Sequence, residues 1–348
     1  MPGLRTTLLH AFMPAVFALL TPVVGQARAA SPSGPVNSFK DWTVVCDNLR
    51  NCEADGFSAE DADKVAILVL TRGGAPDATA GVAIMVMDDI TGAPSGTPLA
   101  LAVDDRPILT VTMGDEQTVT LSGNQVGVLL RAARNGAVLS LRLKDQELAS
   151  VSLAGMVAAL RLVDDQQSRA GTVTAIIAKG GAPLSAVPHQ PALPVIHRAP
   201  AVAQTGLPDK PPAGVKALAA KTECDTDQDL AASEPQAHRL SADKVLWQVP
   251  CWSGAYNFSS LFVIVDNKGG GARIAPLEGA ADGTAVNAAY DPQTRLLGAY
   301  NKGRGVGDCG DSSEWAWTGQ AFALTRAASM PICRGQSDWP TSFQAKVE

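Results

Sequence analysis

The six cysteines of this 348-residue chain constrain its fold more than any other feature, because each bonded pair ties two segments together. Their spacings are irregular and no C-x-x-C motif occurs, which favours disulfides over a metal site. We choose the sequential pairing because neighbouring cysteines are close in sequence and a proline-rich segment separates the first two from the others; other connectivities stay open. The predicted bonds join Cys46 to Cys52, Cys224 to Cys251, and Cys309 to Cys333.

The N-terminal residues have the three-part layout of a secretory signal peptide. Arg5 precedes an apolar run, and the small-residue pattern "ARA" that ends at Ala29 follows it. The alternative is a membrane anchor, but a histidine and two prolines interrupt the run, and no later segment is apolar for long enough to span a bilayer. We predict a signal peptide over residues 1–29, cleavage near Ala29, and a periplasmic or secreted mature protein, where disulfides persist.

The charge of the chain limits its partners. The formal net charge is -6, and cleavage makes it more negative because residues 1–29 contain two arginines and no acidic residue. An acidic chain without a basic cluster is a poor match for nucleic acid or for an anionic membrane surface. The charge does not indicate what binds; from the predicted export, the expected partner is an envelope protein, or else a small ligand or glycan.

A proline-rich segment divides the chain. Residues 182–220 contain eight prolines and have neither an alternating nor a helical apolar period, so they favour an extended, semi-rigid spacer. The regions on either side are each long enough to bury a core. The sequence therefore predicts an N-terminal domain over residues 30–181, a linker over 182–220, and a C-terminal domain over 221–348.

Both predicted domains are rich in short runs typical of strands. Runs such as "VAILVLTRG", "GVAIMVMDD", "ILTVTM" and "TVTAIIAKG" are separated by Gly, Asp and Pro turn signals. Two segments instead have helical spacing, one between a Ser122 cap and Gly136, and one after a Ser152 cap. We predict a mainly β fold of two antiparallel, β-sandwich-like domains, the first covered by one or two short helices.

Each predicted domain also places a tryptophan near a cysteine. Trp42 and Cys46 lie in "WTVVC", and Trp247 and Cys251 lie in "WQVPC". Because side chains alternate along a strand, the tryptophan and the cysteine share one face in both runs. We expect a tryptophan beside a disulfide in each core.

The stretch "PCWSGAYNFSS" carries aromatic residues at even positions, namely Trp252, Tyr256 and Phe258. This alternation fits a binding face, and it fits a buried strand beside a disulfide equally well. Both interpretations stay open at the level of sequence.

A glycine-rich loop from Lys302 to Gly319 reads "KGRGVGDCGDSSEWAWTG". A dinucleotide-binding loop needs G-x-G-x-x-G between a strand and a helix, whereas here the last spacing is wrong and a strand-like "WAW" follows. We interpret the stretch as a tight loop whose glycines permit positive φ and whose Cys309 bonds to Cys333.

The same loop holds the densest set of chemical groups in its domain. In one interpretation, Asp308, Asp311 or Glu314 serves a carboxylate-dependent hydrolase of envelope glycan, with tryptophans stacked on sugar rings. In the other, the acids cap turns and pair with basic neighbours, while the tryptophans face the core. The candidate binding residues are Lys302, Arg304, Asp308, Asp311, Glu314, Trp315 and Trp317.

Other catalytic or metal-binding patterns are incomplete. The only histidine in the predicted domains is His238, interpreted as a surface residue, and neither G-x-S-x-G nor H-E-x-x-H occurs. Alternate acids from Glu223 to Asp229 are similar to the start of a calcium loop, but Leu230 stands where glycine is needed and Gln236 where a bidentate glutamate belongs. We predict no metal and no cofactor; a weak calcium site is the one alternative kept.

Four segments resemble a family of exported proteobacterial proteins catalogued as a domain of unknown function. They are "FKDWTVVCDNLRNC" from Phe39, residues 151–180, "PCWSGAYN" from Pro250, and the glycine-rich loop. The N-terminal half is also similar to the invasion-associated locus B family in its W-x-x-x-C start and paired cysteines. The first resemblance implies a periplasmic, two-domain, disulfide-bonded protein, and neither one supplies catalytic residues.

We predict a binding or interaction protein of the cell envelope. This prediction rests on the expected export, on the expected disulfides, and on the lack of a sequence pattern that would assemble a catalytic site. An enzyme is the less favoured alternative, and its form would be the glycan hydrolase described above.

Overall fold

A computed structural model describes residues 34–87, 93–222, 224, 234–280 and 282–348. The predicted signal peptide and most of the acidic stretch considered as a calcium loop, residues 223 and 225–233, lie outside these ranges. None of the helices within them is both long and apolar enough to cross a membrane.

The N-terminal half of the chain forms two antiparallel sheets. Their strands are β1 (Val36–Phe39), β2 (Trp42–Cys46), β3 (Cys52–Phe57), β4 (Ala66–Arg72), β5 (Ala80–Val86), β6 (Pro98–Val103), β7 (Arg106–Thr112), β8 (Thr118–Leu121), β9 (Val138–Leu143) and β10 (Gln146–Ser152). One sheet has the order β1-β2-β3-β4-β5-β8, and the other has the order β10-β9-β6-β7. Alternation buries every second side chain of β5, which is typical of a half-buried strand.

Two helices pack on these sheets, as the sequence predicted. They are α1 (Asn124–Ala133) and α2 (Met156–Gln166), and one buried apolar cluster includes residues of both helices and both sheets. The predicted serine caps are wrong, because the N-cap positions are Gly123 and Gly155. Gly155 has a φ of 104° and a Cα next to the Phe39 carbonyl, a combination that only glycine tolerates.

The C-terminal half forms two further antiparallel sheets. Their strands are β12 (Gln236–Arg239), β13 (Lys244–Ser253), β14 (Phe258–Asp266), β15 (Arg273–Ile274), β16 (Thr284–Val286), β17 (Ala289–Asp291), β18 (Leu296–Lys302), β19 (Gly310–Trp317), β20 (Phe322–Met330) and β21 (Thr341–Gln344). The first sheet has the order β12-β13-β14-β15, with β16 also paired to β14, and the second has the order β17-β18-β19-β20-β21. The predicted mainly β, antiparallel fold is confirmed.

The proline-rich segment packs against the C-terminal half. Its short strand β11 (Val195–Ile196) pairs in parallel with β22 (Lys346–Val347). Near its end, α3 (Ala213–Ala219) buries Val215 and Ala219 in an apolar cluster that β13 and β14 share. The predicted boundaries of the two domains and of the linker stay a prediction.

Three disulfides join the cysteines in the sequential order chosen from the sequence. Trp42 belongs to the same buried cluster as the Cys46–Cys52 bond, and Trp247 to the same cluster as the Cys224–Cys251 bond. Both indoles are fully buried. Each tryptophan therefore shares a buried apolar cluster with a disulfide, and direct contact between the two stays a prediction.

The two halves contact each other along what we call the seam, where β3 and β4 meet residues 328–339. Phe57, Met330 and Trp339 belong to one buried apolar cluster there. At its edge, Arg334 Nη1 donates to Asp41 Oδ1 at 2.8 Å. The seam therefore combines apolar contact with a charged hydrogen bond.

Candidate functional site

A cavity of about 630 Å³ lies beside α1, and we call it the α1 cavity. Its lining comes from three stretches that are distant in sequence, within residues 72–80, 123–134 and 174–184. This volume is in the range of small-molecule sites in proteins.

Most of the inner surface of the α1 cavity is apolar. The exposed lining residues, among them Leu184, Arg131 and Lys179, lie where it meets solvent. The apolar lining residues are Pro76, Ala78, Ala80, Val126, Leu130, Ala175, Ile176, Ile177 and Leu184.

One buried carboxylate shapes a wall of the cavity. Asp164, on α2, is fully buried, and its two oxygens accept hydrogen bonds from three successive backbone amides. The donors are the N–H groups of Ile176 at 2.6 Å, Ile177 at 2.8 Å and Ala178 at 2.9 Å. A carboxylate that accepts hydrogen bonds from several backbone N–H groups fixes the conformation of that backbone segment. The loop that presents both isoleucines to the cavity is thus held by a residue outside the lining.

The sequence predicted a strand over "TVTAIIAKG", and that prediction is wrong. Residues 173–180 form an irregular loop, because backbone N–H groups in this stretch donate hydrogen bonds to the Asp164 carboxylate and not to a neighbouring strand. A sequence signal for Asp164 does exist. It lies four residues after Leu160, on the apolar face of α2, where an acidic residue needs a buried partner.

Arg169 holds the facing wall. Its side chain is fully buried, and it donates to the carbonyl of Pro76 at 2.7 Å and to that of Ala75. The neighbouring Gln167 accepts from Arg169 at 3.2 Å and donates to the carbonyl of Gly73 at 3.1 Å. These hydrogen bonds give partners to backbone carbonyls that have none in a sheet, and they thereby stabilise the conformation of the 73–79 loop.

Arg72 connects the two walls and lines the cavity. Its Nη2 donates to the carbonyl of Thr174 at 2.8 Å, and its Nε donates to that of Ala78 at 3.2 Å. Its Nη1 is 3.8 Å from Asp164 Oδ1 and makes no hydrogen bond within the described part of the chain. Burial, followed by the charge of Arg169, lowers the pKa of Arg72 to about 10, so the side chain is still cationic at neutral pH.

Three further cations line the α1 cavity near its mouth. Arg131, in the last turn of α1, and Arg134, directly after that helix, lie three residues apart and are both exposed, and Lys179 follows the loop held by Asp164. Their side chains form no ion pair or hydrogen bond with the residues that the structure describes. Asp77 is the one carboxylate in the described lining. The mouth therefore carries an excess of unpaired positive charge.

The two tryptophans of the glycine-rich loop lie in the core. Trp315 is 4% exposed and Trp317 is 2% exposed, and both belong to the C-terminal apolar cluster. The Trp315 Nε1–H donates to the carbonyl of Glu278 at 2.8 Å. This placement matches the interpretation in which strand alternation turns both rings inward.

The charged residues of that loop bond mainly to their neighbours. Arg304 Nε donates to Asp308 Oδ1 at 2.6 Å, and the N–H of Gly335 donates to Asp308 Oδ2 at 2.6 Å. The Arg304 bond is the largest cause that holds the pKa of Asp308 below its ordinary value. Asp311 accepts from Asn301 Nδ2 at 3.1 Å. The Asp308 carboxylate therefore links the glycine-rich loop to the loop that contains Gly335.

A second, smaller cleft of about 340 Å³ lies next to the seam. Glu314 and Asp338 both line it, and on one side Tyr300 stacks on Trp339 with ring centroids 4.6 Å apart. Glu314 also accepts from the hydroxyl of Thr325 at 3.1 Å. Of the three carboxylates considered for a hydrolase, Glu314 is the one that faces this cleft.

Two carboxyl groups lie side by side on β3, facing the seam. Glu53 and Asp55 are two residues apart, so their side chains share one face, and they share a hydrogen bond. Burial, followed by the charge of Asp338, raises the pKa of Glu53 to about 7. Burial, followed by the charge of Glu53, raises the pKa of Asp55 well above its ordinary value. Gln336, from the other half, reaches Asp55 Oδ2 at 3.5 Å.

The aromatic residues of "PCWSGAYNFSS" are exposed and not buried. Trp252 and Tyr256 are each 37% exposed, and Phe258 is 56% exposed. The hairpin that carries them contacts the glycine-rich loop, since Asn257 Nδ2 donates to the carbonyl of Lys302 at 2.9 Å. Of the two interpretations left open by the sequence, the buried strand does not hold for these three rings.

His238 is half-buried against Tyr290, with ring centroids 5.4 Å apart, so its interpretation as a surface residue is wrong. Burial lowers its pKa, which favours the neutral imidazole. Its Nε2 has no hydrogen-bond partner, and so no hydrogen-bonded nucleophile, within the described part of the chain.

A solved structure matches part of the chain. The crystal structure of invasion associated protein B from Bartonella henselae aligns over 39% of this chain and 99% of its own, with 17% sequence identity and a TM-score of 0.29. The expected weak resemblance to that family is found, and a TM-score this low carries no argument about function.

The sequence comparisons cover far more of the chain. An uncharacterized protein, YpfG, of Escherichia coli (strain K12) is 31% identical over an alignment of length 342, which covers 87% of this chain and 91% of that protein. The family model described as "Protein of unknown function (DUF1176)" matches residues 36–346. The chain therefore belongs to the DUF1176 family.

Proposed function

We propose that this protein is an exported binding protein of the cell envelope, and that the α1 cavity holds its ligand. The observation that carries the proposal is the cavity itself, about 630 Å³ in volume and mainly apolar, with a few polar groups at its edge. That combination is typical of small-molecule sites.

The construction of the walls supports a binding role. Asp164 and Arg169 are fully buried polar residues whose bonds go to the backbone of the two loops that line the cavity. Burying such groups costs free energy unless their bonds are made, and here they hold an open cavity instead of filling it. A preformed site binds with a smaller loss of conformational entropy than a flexible one.

The chemistry of the lining favours binding over catalysis. General acid or base catalysis uses a group, most often His, Glu or Asp, whose pKa lies near the operating pH. The described lining holds a single carboxylate, Asp77, among cations. Export is supported by the signal-peptide layout of residues 1–29 and by the three disulfides.

The test is capture of the ligand and its loss from a variant with a filled cavity. We expect native mass spectrometry of the protein purified from the periplasm to detect a bound small molecule. Gly127→Leu should abolish the adduct, because Gly127 lines the cavity and an added Cβ meets only the end of Arg131, at 3.3 Å. This change also removes a glycine from a helix, which favours folding.

The matched control is Ala158→Leu, which adds the same side chain to an exposed position of α2 outside the lining. It should keep the adduct. An adduct that survives Gly127→Leu in a folded protein would refute the assignment of the cavity.

A second candidate function is the carboxylate-dependent hydrolase of envelope glycan. The observation that favours it is the position of Glu314 and Asp338 in the cleft next to the seam. Two carboxyl groups in one cleft are the minimum set for glycoside cleavage. If this function holds, the wild type releases reducing ends from purified peptidoglycan, and Glu314→Gln loses that activity while its urea unfolding curve is unchanged. Equal release by the two proteins, or none by either, would exclude it.

A further inference from the structure

We propose that the α1 cavity binds a single-chain anionic amphiphile, with its hydrocarbon chain inside and its carboxylate or phosphate at the cations of the mouth. This inference rests on the proposed function, because it names the ligand class of the same site.

The lining specifies the hydrocarbon part of the ligand. Nine apolar residues surround the cavity, and among the charged lining side chains only that of Arg72 is buried. A sugar or a peptide would lose hydrogen bonds to water on entering such a site, whereas a hydrocarbon chain gains from leaving water. Affinity should therefore rise by about fourfold for each methylene group that the cavity covers.

The mouth specifies the sign of the headgroup. Four cations and one carboxylate line the cavity, although the whole chain is acidic, with a formal net charge of -6. Arg131, Arg134 and Lys179 have no partner of opposite charge within the described residues, so their donors are available to a ligand. Arginine donates two parallel hydrogen bonds to a carboxylate or a phosphate, and this geometry suits both headgroups.

The geometry of α1 places the two parts of the ligand in line. Val126 and Leu130 lie four residues apart and form an apolar ridge along the cavity. Arg131 follows in the last turn of the helix and Arg134 directly after its C-terminal end, and both are exposed. A chain that lies along the ridge therefore ends next to the two guanidinium groups.

The experiment compares three amphiphiles with the same dodecyl chain and different headgroups. They are dodecanoate, dodecyltrimethylammonium and dodecyl maltoside, each below its micelle-forming concentration and each titrated by calorimetry into the folded wild type. We expect dodecanoate to bind at least about tenfold more tightly than the trimethylammonium compound, and added salt to reduce that difference. Decanoate should bind about 15-fold more weakly than dodecanoate, since it lacks two methylenes.

Variants locate the headgroup. Arg131→Gln combined with Arg134→Gln should weaken dodecanoate binding by about tenfold or more and leave dodecyl maltoside unchanged. The matched control combines Arg106→Gln with Arg161→Gln, two exposed arginines outside the lining, and should change neither. A titration with dodecyl phosphate then distinguishes the two headgroups. If the natural ligand carries a phosphate, dodecyl phosphate should bind more tightly than dodecanoate; if it carries a carboxylate, dodecanoate should bind more tightly.

The possible failures are distinguishable. Equal binding of all three dodecyl compounds, abolished by Gly127→Leu, would overturn the anionic assignment and leave the proposed binding function in place. Binding of none of them, with a captured adduct that Gly127→Leu removes, would overturn the whole ligand class. Binding of none and no captured adduct would overturn this inference and the proposed function together.

Discussion

We expect the paired carboxyl groups at the seam to stabilise this protein less as the pH rises. The pKa of Glu53 is raised from its ordinary value of 4.5 to about 7, chiefly by burial and then by the charge of Asp338. Between those two values the folded protein binds more protons at Glu53 than the unfolded chain does. By linkage, the contribution of Glu53 to the free energy of unfolding therefore decreases as the pH rises across this window and levels off above it, whereas the lowered pKa of His238 contributes with the opposite sign.

The size of the effect follows from the raised pKa. At about 1.4 kcal/mol per pH unit, the difference between 4.5 and about 7 corresponds to a loss of at most about 3 kcal/mol between pH 4.5 and pH 8. Glu53→Gln keeps the shape of the protonated side chain and removes its titration. The variant should be more stable than the wild type at pH 8, by up to about 3 kcal/mol, and nearly equal to it at pH 4.5.

The assay is urea unfolding followed by tryptophan fluorescence at pH 4.5, 6 and 8, with disulfides intact. The control is Glu116→Gln, an exposed glutamate for which the wild-type pH dependence should be unchanged. If Glu53→Gln and the wild type lose the same stability between pH 4.5 and pH 8, burial at the seam does not raise the pKa of Glu53.

Three further perturbations test other parts of the structure by urea unfolding. Asp164→Asn should lower stability by about 3 kcal/mol and weaken ligand capture, because the wall loop loses its charged acceptor; exposed Asp165→Asn is the matched control and should do neither. Arg334→Gln should lower stability by about 1–2 kcal/mol, and no change would mean that its bonds across the seam are replaced by water. Replacing Cys309 and Cys333 by serine should lower stability by about 3.5 kcal/mol, from the 24-residue separation that the bond closes, and an unchanged unfolding midpoint would contradict that.

The parts of the fold that sequence predicts well depend on local patterns. Cysteine spacing gave the three disulfides, and the period of apolar residues located α1 and α2. The caps were wrong because the serines at 122 and 152 have a stronger general preference for that position than glycine. At Gly155 the backbone needs a positive φ beside a carbonyl of β1, and tertiary contact decides that.

The candidate site could not be predicted, because its residues meet only through long-range contacts. Arg169 bonds to carbonyls that lie more than 90 residues earlier in the chain, and Arg72 bonds to Thr174 over 102 residues. The β-branched run "TVTAII" has a strand preference that the amide bonds to Asp164 override. The sequence pattern instead favoured the glycine-rich loop, where charged residues cluster in sequence and bond mainly to neighbouring residues.

In the α1 cavity, the residues that hold the walls differ from most of the residues that line them. Asp164 accepts from backbone N–H groups, which every amino acid except proline has, and Arg169 donates mainly to backbone carbonyls, which every amino acid has. The lining side chains can therefore change during evolution while the loops keep their path. Relatives that retain an acid at 164 and an arginine at 169 but differ at 126, 130 and 134 should be paralogues or orthologues tuned to different ligands on one scaffold.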